Sequence, residues 1–202
     1  MTVNNTLPKL PSNYNFAKIN RIIIEIVSVM FAVLVALGVD QWWEDRENLE
    51  LAAKLKVGIE NEIKNNLEEI KGTHENYTST NDSLIVYLSK PEIDLDNFNL
   101  NLELALLTSA TWNTAQMLKA IHSMDYEWII EVSTVYELQT IYLESQKQFL
   151  DVMGRLAEED IEENPKKMFR VLVGRLMILN TLQEGLIEGY SDLLNENDSG
   201  SS

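Results

Sequence analysis

The side chains able to do chemistry in this 202-residue chain are 2 histidines, 32 carboxylates and a scatter of hydroxyls, with no cysteine. Without cysteine there is no disulfide framework, thiolate nucleophile or zinc ribbon. His74 and His122 sit in no HxxxH, HExxH or ExxH spacing, so the converging ligands of a zinc or di-iron centre are not supplied. A GxSxG elbow and a glycine-rich phosphate loop are also missing. Each histidine reads as a satisfied interior or surface residue. The expectation is a protein that is not an enzyme and holds no metal or cofactor.

One carboxylate stands out. Glu25 lies inside the apolar run Ile22–Val39, IIIEIVSVMFAVLVALGV. Glu25, Ser28, Ala32 and Ala36 are spaced by three, four and four, and so share one helical face. Small residues on such a face let lipid-embedded helices approach closely, which makes it a candidate packing face for a homo-oligomer. Glu25 has two readings. It can pair with Arg21, four residues earlier, at the membrane surface. Alternatively it is polar glue, or a ring of acids of the kind that selects cations in channels. The pairing is preferred, because Glu25 lies close to the basic end of the run and converging carboxylates repel.

The element that positions these residues is a membrane span. From Ile19 to Val39 there are 21 residues, which at about 1.5 Å each cross a hydrocarbon core of roughly 30 Å. Twelve residues of Ile22–Val39 are Ile, Val, Leu or Phe, worth roughly −4 to −7 kcal/mol on insertion, against no more than ~3 kcal/mol for Glu25. Ala36-Leu37-Gly38 resembles a signal cleavage site, but the run exceeds the usual signal core, so an uncleaved signal-anchor is expected. Residues 1–39 carry Lys9, Lys18 and Arg21 against Glu25, for a net +2. The remaining residues carry 13 basic and 31 acidic side chains, a net −18. The positive-inside rule then puts the N-terminus in the cytoplasm and the acidic domain outside. Arg21, Trp42 and Trp43 stand where interfacial anchors belong. So acidic a surface argues against a nucleic-acid partner.

Over Glu25–Arg46 the sequence EIVSVMFAVLVALGVDQWWEDR resembles a family of small bacterial single-span membrane proteins of unknown function. Its members carry Glu-Ile-Ile, an apolar run with a small residue, Ala-Leu, and Trp-x-Glu-x-Arg at the exit. The matching positions are Glu25, Ile26, Val27, Ala32, Ala36, Leu37, Trp42, Glu44 and Arg46. Asp40-Gln41 stand where members often have Asn-Asn. Thr111-Trp112-Asn113-Thr114-Ala115 and Val135-Tyr136-Glu137-Leu138-Gln139 are similar to features of proteobacterial relatives, more loosely. The resemblance implies a membrane-anchored helical protein; together with the charge asymmetry, the expected place is the bacterial inner (plasma) membrane, with a periplasmic domain. It brings no activity.

The rest of the chain reads as helical. Ala52, Lys56, Ile59, Ile63, Asn66, Ile70, Thr73, Tyr77, Asn81, Leu84 and Leu88 form a heptad seam with polar interruptions, ended by Pro91. Residues 92–111 are ambiguous: Phe98, Leu100, Leu102, Leu104 and Leu106 alternate as in a strand, but no partner strand is evident. The balance leans to helix. Thr111 is expected to cap a helix from Trp112, and Asp125 one from Tyr126. A third stripe runs Ile129, Val132, Tyr136, Gln139, Leu143, Gln146, Leu150, Met153 and Ala157. After the acidic run 158–163, expected as a solvated loop, Asn164-Pro165 opens a last helix with Met168, Leu172, Arg175, Leu179, Leu182, Leu186, Gly189 and Leu193 on one face. Gly185 and Gly189 read as close packing or chance.

The expected fold is all-α: one N-terminal transmembrane helix followed by an extramembrane antiparallel bundle with long coiled-coil-like helices. The divisions are a cytoplasmic tail at 1–18, the anchor at 19–41, one acidic bundle at 42–194 and a disordered polar tail at 195–202. The expected function is structural or interactive, with the lipid bilayer and further copies of the chain as partners. A sensor or regulatory subunit working through another membrane protein is the alternative, and an ion-conducting oligomer with a Glu25 ring is a further one.

Overall fold

The computed structural model describes residues 14–91, 100–158 and 165–199. Its elements are α1 (Tyr14–Ser89), α2 (Ala110–Met117), a 3-10 turn (Lys119–Ser123), α3 (Tyr126–Glu158) and α4 (Pro165–Ser199). The protein is all-α, and no strand occurs among the described residues. The chain divides into two units between Asn48 and Leu49. Trp42–Asn48, expected with the bundle, belong instead with the first unit.

In the first unit every side chain from Asn20 to Glu47 is exposed. Within it lies an apolar stretch with a mean hydropathy of 2.8, long enough to cross a membrane and, among the described residues, not buried.

The second unit is a helical bundle built on heptad seams. Helix α1 has no proline between Trp42 and Ser89, and ends where Pro91 removes an N–H and restricts Lys90. Nine of the eleven expected α1 seam residues are buried, with Lys56 and Leu88 half-buried. Asp125 caps α3 as expected, its Oδ1 accepting from the Trp128 N–H at 2.9 Å. Partners across the bundle set the directions. Glu62 meets Tyr136 and Asn66 meets Gln139, so α1 and α3 run parallel. Gln183 meets Tyr142 while Tyr190 meets Gln139, so α4 runs antiparallel to α3.

Four expectations are corrected. Residues 100–109 are neither helix nor ladder but an extended strap running back along α1; residues 92–99 lie outside the described residues. The leucine alternation holds only as far as Leu104. Ala105 is fully buried and Leu106 is 80% exposed, so the inward phase passes to odd positions. Thr111 is not the α2 cap: the helix starts at Ala110, and Glu62 of α1 serves its free N–H groups. Leu150, placed on the α3 stripe, is exposed, while Trp128, Val135, Tyr142 and Phe149 are buried. An α3 that packs on two neighbours needs a wider face than one seam. Lastly, α4 stays helical to Ser199, past the start of the expected disordered tail. The acidic run at 159–163 and the Asn164 cap lie outside the described residues.

The GxxxG spacing on α4 is close packing. A Cβ on Gly189 would meet Val135 Cγ2 at 3.0 Å, and one on Gly185 would meet Leu138 Cδ2 at 3.3 Å.

Candidate functional site

The residues singled out on the span are all exposed. Glu25, Ser28, Ala32 and Ala36 lie on the surface of a helix that is uncovered among the described residues. Arg21 and Glu25 form no ion pair, so the preferred local pairing is not made. Trp42 and Trp43 pack edge to face, with ring centres 5.6 Å apart, and the Arg46 guanidinium lies 5.9 Å from the Trp42 ring. These contacts put an exposed aromatic pair beside the apolar stretch, and aromatic residues are enriched at membrane interfaces.

Inside the second unit the polar seam positions assemble into layers. In the first, the Glu62 carboxylate is 6% exposed and accepts three donors: Tyr136 O–H at 2.6 Å, Thr111 N–H at 2.8 Å and Trp112 N–H at 3.3 Å. Two of these are free amides at the start of α2, where a negative charge is favoured. Tyr136 also stacks on Trp112, with ring centres 5.6 Å apart and planes 10° from parallel. Burial, reinforced by the Glu62 carboxylate, pushes the Tyr136 phenol well above its ordinary value near 10.

In the second layer both Asn66 amide protons are used, one by Thr108 C=O at 2.7 Å and the other by Gln139 Oε1 at 3.2 Å. Asn66 Oδ1 accepts the Thr108 N–H at 2.9 Å. Gln139 Oε1 also accepts Tyr190 O–H at 2.6 Å, and its Nε2 donates to Thr108 C=O at 3.1 Å. The third layer centres on Gln183, which is fully buried. Its amide donates to Thr73 Oγ1 at 3.3 Å and Tyr142 Oη at 3.2 Å, and its Oε1 pairs with His74 Nδ1 at 3.2 Å, the imidazole donating. His74 is thus a satisfied structural residue, and His122 is exposed on the 3-10 turn. In the fourth layer Gln146 lies 3.4 Å from both Tyr77 Oη and Ala105 C=O. Burial raises the phenol pKa of Tyr77, Tyr142 and Tyr190 as well.

Apart from Ser109 C=O, which accepts the Asn113 N–H at 2.9 Å, the strap's hydrogen bonds among the described residues are to side chains. Besides Asn66, the Asn76 amide donates to Asn101 C=O at 3.1 Å and accepts the Glu103 N–H at 3.0 Å, and Glu69 Oε1 accepts the Leu106 N–H at 3.0 Å. Residues 66, 69 and 76 of α1 therefore form a row of rungs under an extended backbone, and Glu62 continues the row at the start of α2.

Asn66, Thr73, Tyr77, Gln139 and Gln146 were legible as polar seam positions. Glu62, Tyr142, Gln183 and Tyr190 were not. Gln183 and Tyr190 belong to a second α4 seam through Phe169, Leu172, Leu176, Leu179, Leu186 and Leu193, whose regular steps were the available signal. Among the described residues no group of histidine and carboxylate side chains could hold a metal ion. The contacts that join the layers are hydrogen bonds. Comparison with protein-family models, curated proteins and solved structures finds no match to the chain.

Proposed function

We propose that this is a single-pass membrane protein of structural or interactive, non-catalytic role. Ile22–Val39 anchors it in the bacterial inner membrane, residues 1–18 stay in the cytoplasm, and the acidic bundle stands in the periplasm. One observation carries the reading: the two halves of the chain treat their apolar residues in opposite ways. The second unit covers its own core, with Ile59, Ile70, Leu84, Leu172 and Leu179 at most 1% exposed. In the span Ile24, Phe31 and Leu34 are 65%, 67% and 64% exposed among the described residues. So large an apolar surface requires cover from lipid or from other copies. Ser28, Ala32 and Ala36 are the face through which copies associate, and Trp42 and Trp43 fix the depth.

Single-cysteine labelling tests the topology cleanly, because the chain has no native cysteine. A membrane-impermeant maleimide should label Ser133→Cys in spheroplasts, but Thr6→Cys only after lysis. The reverse pattern, or release of the protein by alkaline carbonate, refutes the anchor. For association, light scattering in detergent should report an oligomer that Ala32→Leu dissociates. A monomer indifferent to Ala32→Leu refutes the packing face.

A further inference from the structure

We propose that the groove between α1 and α3 is a binding site for an extended, neutral-to-basic polypeptide segment, occupied from within by residues 100–109. The inference is independent of the membrane placement and rests on how the strap is held.

Asn66 and Asn76 each use one amide both to donate to a strap carbonyl and to accept a strap N–H. Glu69 takes the Leu106 N–H, while Gln139 and Gln146 reach Thr108 C=O and Ala105 C=O from α3. These are contacts to backbone, which every polypeptide offers, and they reproduce the pattern an added strand would meet at a sheet edge. Side chains add to these contacts: Ala105 is fully buried, Leu100, Leu102 and Leu107 are half-buried against the core, and Leu106 is 80% exposed. A groove of this kind asks for a small residue at one position, apolar side chains at the half-buried ones and extended backbone throughout.

Two features make the strap replaceable. Its floor carries Asn66, Glu69, Gln139 and Gln146, which water can satisfy when the strap leaves, so the apolar surface uncovered is confined to the seats of Leu100, Leu102, Ala105 and Leu107. Its charge is also wrong for its seat. Glu103 shares an open cleft of about 440 Å³ with Glu68 and Glu69, and no lysine or arginine lines it. A segment with a neutral or basic side chain there fits better than the chain's own.

The test uses the full chain in detergent micelles and a fluorescein-labelled peptide of residues 100–109. Hydrogen exchange comes first: the Glu103, Leu106 and Thr108 amides should exchange well before the cores of α1 and α3. Exchange of all of them together, only on global unfolding, overturns the proposal. Leu106→Pro deletes the bond to Glu69 at an exposed position, and should raise affinity for the peptide by about two- to tenfold by loosening the internal competitor. Helicity by circular dichroism confirms that this variant folds. A peptide with Glu103→Lys should bind about two- to fivefold tighter than the native one, and a peptide with Ala105→Asp should not bind. No saturable binding to a folded Leu106→Pro chain, or equal binding of all three peptides, overturns it.

Discussion

Glu62 offers the sharpest test of the polar interior, because three donors of different origin converge on one buried carboxylate. Tyr136→Phe removes the hydroxyl 2.6 Å from Oε1 and leaves the ring stacked on Trp112. A short bond from O–H to a carboxylate is worth about 1.5–3 kcal/mol. The two α2 amides still serve Glu62 in that variant, so the lower half of the range is expected. Glu62→Gln is worse. The amide oxygen can keep Tyr136 and Trp112, but an NH2 group then faces the Thr111 N–H, 2.8 Å from Oε2 in the native chain. One bond is lost and one buried donor is orphaned, a cost of about 2–4 kcal/mol. The residual bond from Tyr136 to a neutral amide is weaker than to a carboxylate, so the double variant should fall short of the sum by about 1 kcal/mol. Denaturation of the full chain in micelles, followed by circular dichroism at 222 nm, measures all three. Glu60→Gln is the control: Glu60 makes only a 3.9 Å surface pair with Lys56, and its loss should cost less than about 0.5 kcal/mol. Additivity of the two substitutions, or equal effects at Glu60 and Glu62, would refute the carboxylate's place at the start of α2.

Further outcomes follow from the same interior. Tyr77, Tyr136, Tyr142 and Tyr190 all have phenol pKa values raised above the ordinary value of 10.0, chiefly by burial. The unfolded phenols ionise near pH 10 while the folded ones hold their protons, so this stabilisation is complete below pH 10 and is lost as pH rises above it. The slope is roughly 1.4 kcal/mol per pH unit for each tyrosine, or about 5.5 kcal/mol per unit for the four. Phenolate absorbance at 295 nm from these four should therefore appear together with the loss of ellipticity; ionisation in the fully helical protein would contradict it. Two glycines of α4 should respond oppositely to alanine. Gly174 has nothing within 4 Å of a new Cβ, so Gly174→Ala should stabilise by about 0.5–1 kcal/mol through helix propensity. At Gly189 the new Cβ meets the branched Val135 side chain at 3.0 Å, so Gly189→Ala should lose that gain, and melting temperatures of the pair should separate.

The helices were legible because their signal is local. Heptad steps along Ala52–Leu88 required no knowledge of a partner, and those positions are the ones that face inward. The strap was not legible, for a physical reason. Strand-like alternation normally implies a neighbouring strand, and the partner here is a row of helix side chains at 66, 69 and 76. Asn66 reads as a polar seam position, but nothing in the spacing of Glu69 and Asn76 marks them as partners of an extended segment. The α2 cap was misread in the same way. Thr111 is a sound local candidate, but a carboxylate 49 residues away in sequence fills the role.

The unlike composition of the layers explains why a bundle would hold so many polar groups where leucine would pack. Three helices with heptad seams are free to slide by seven residues, since such a slip returns apolar side chains to apolar neighbours. Sliding α4 by one heptad would put Leu176 in the place of Gln183, opposite Thr73, His74 and Tyr142. Those three groups would lose their partner, at about 1–3 kcal/mol for each one left buried. Tyr190 would meanwhile draw away from Gln139, which also holds Thr108 of the strap. No two layers have the same composition, so no slip restores every bond. Polar seams weaken the apolar core but select one register, and that same register sets the spacing of the rungs beneath residues 100–109.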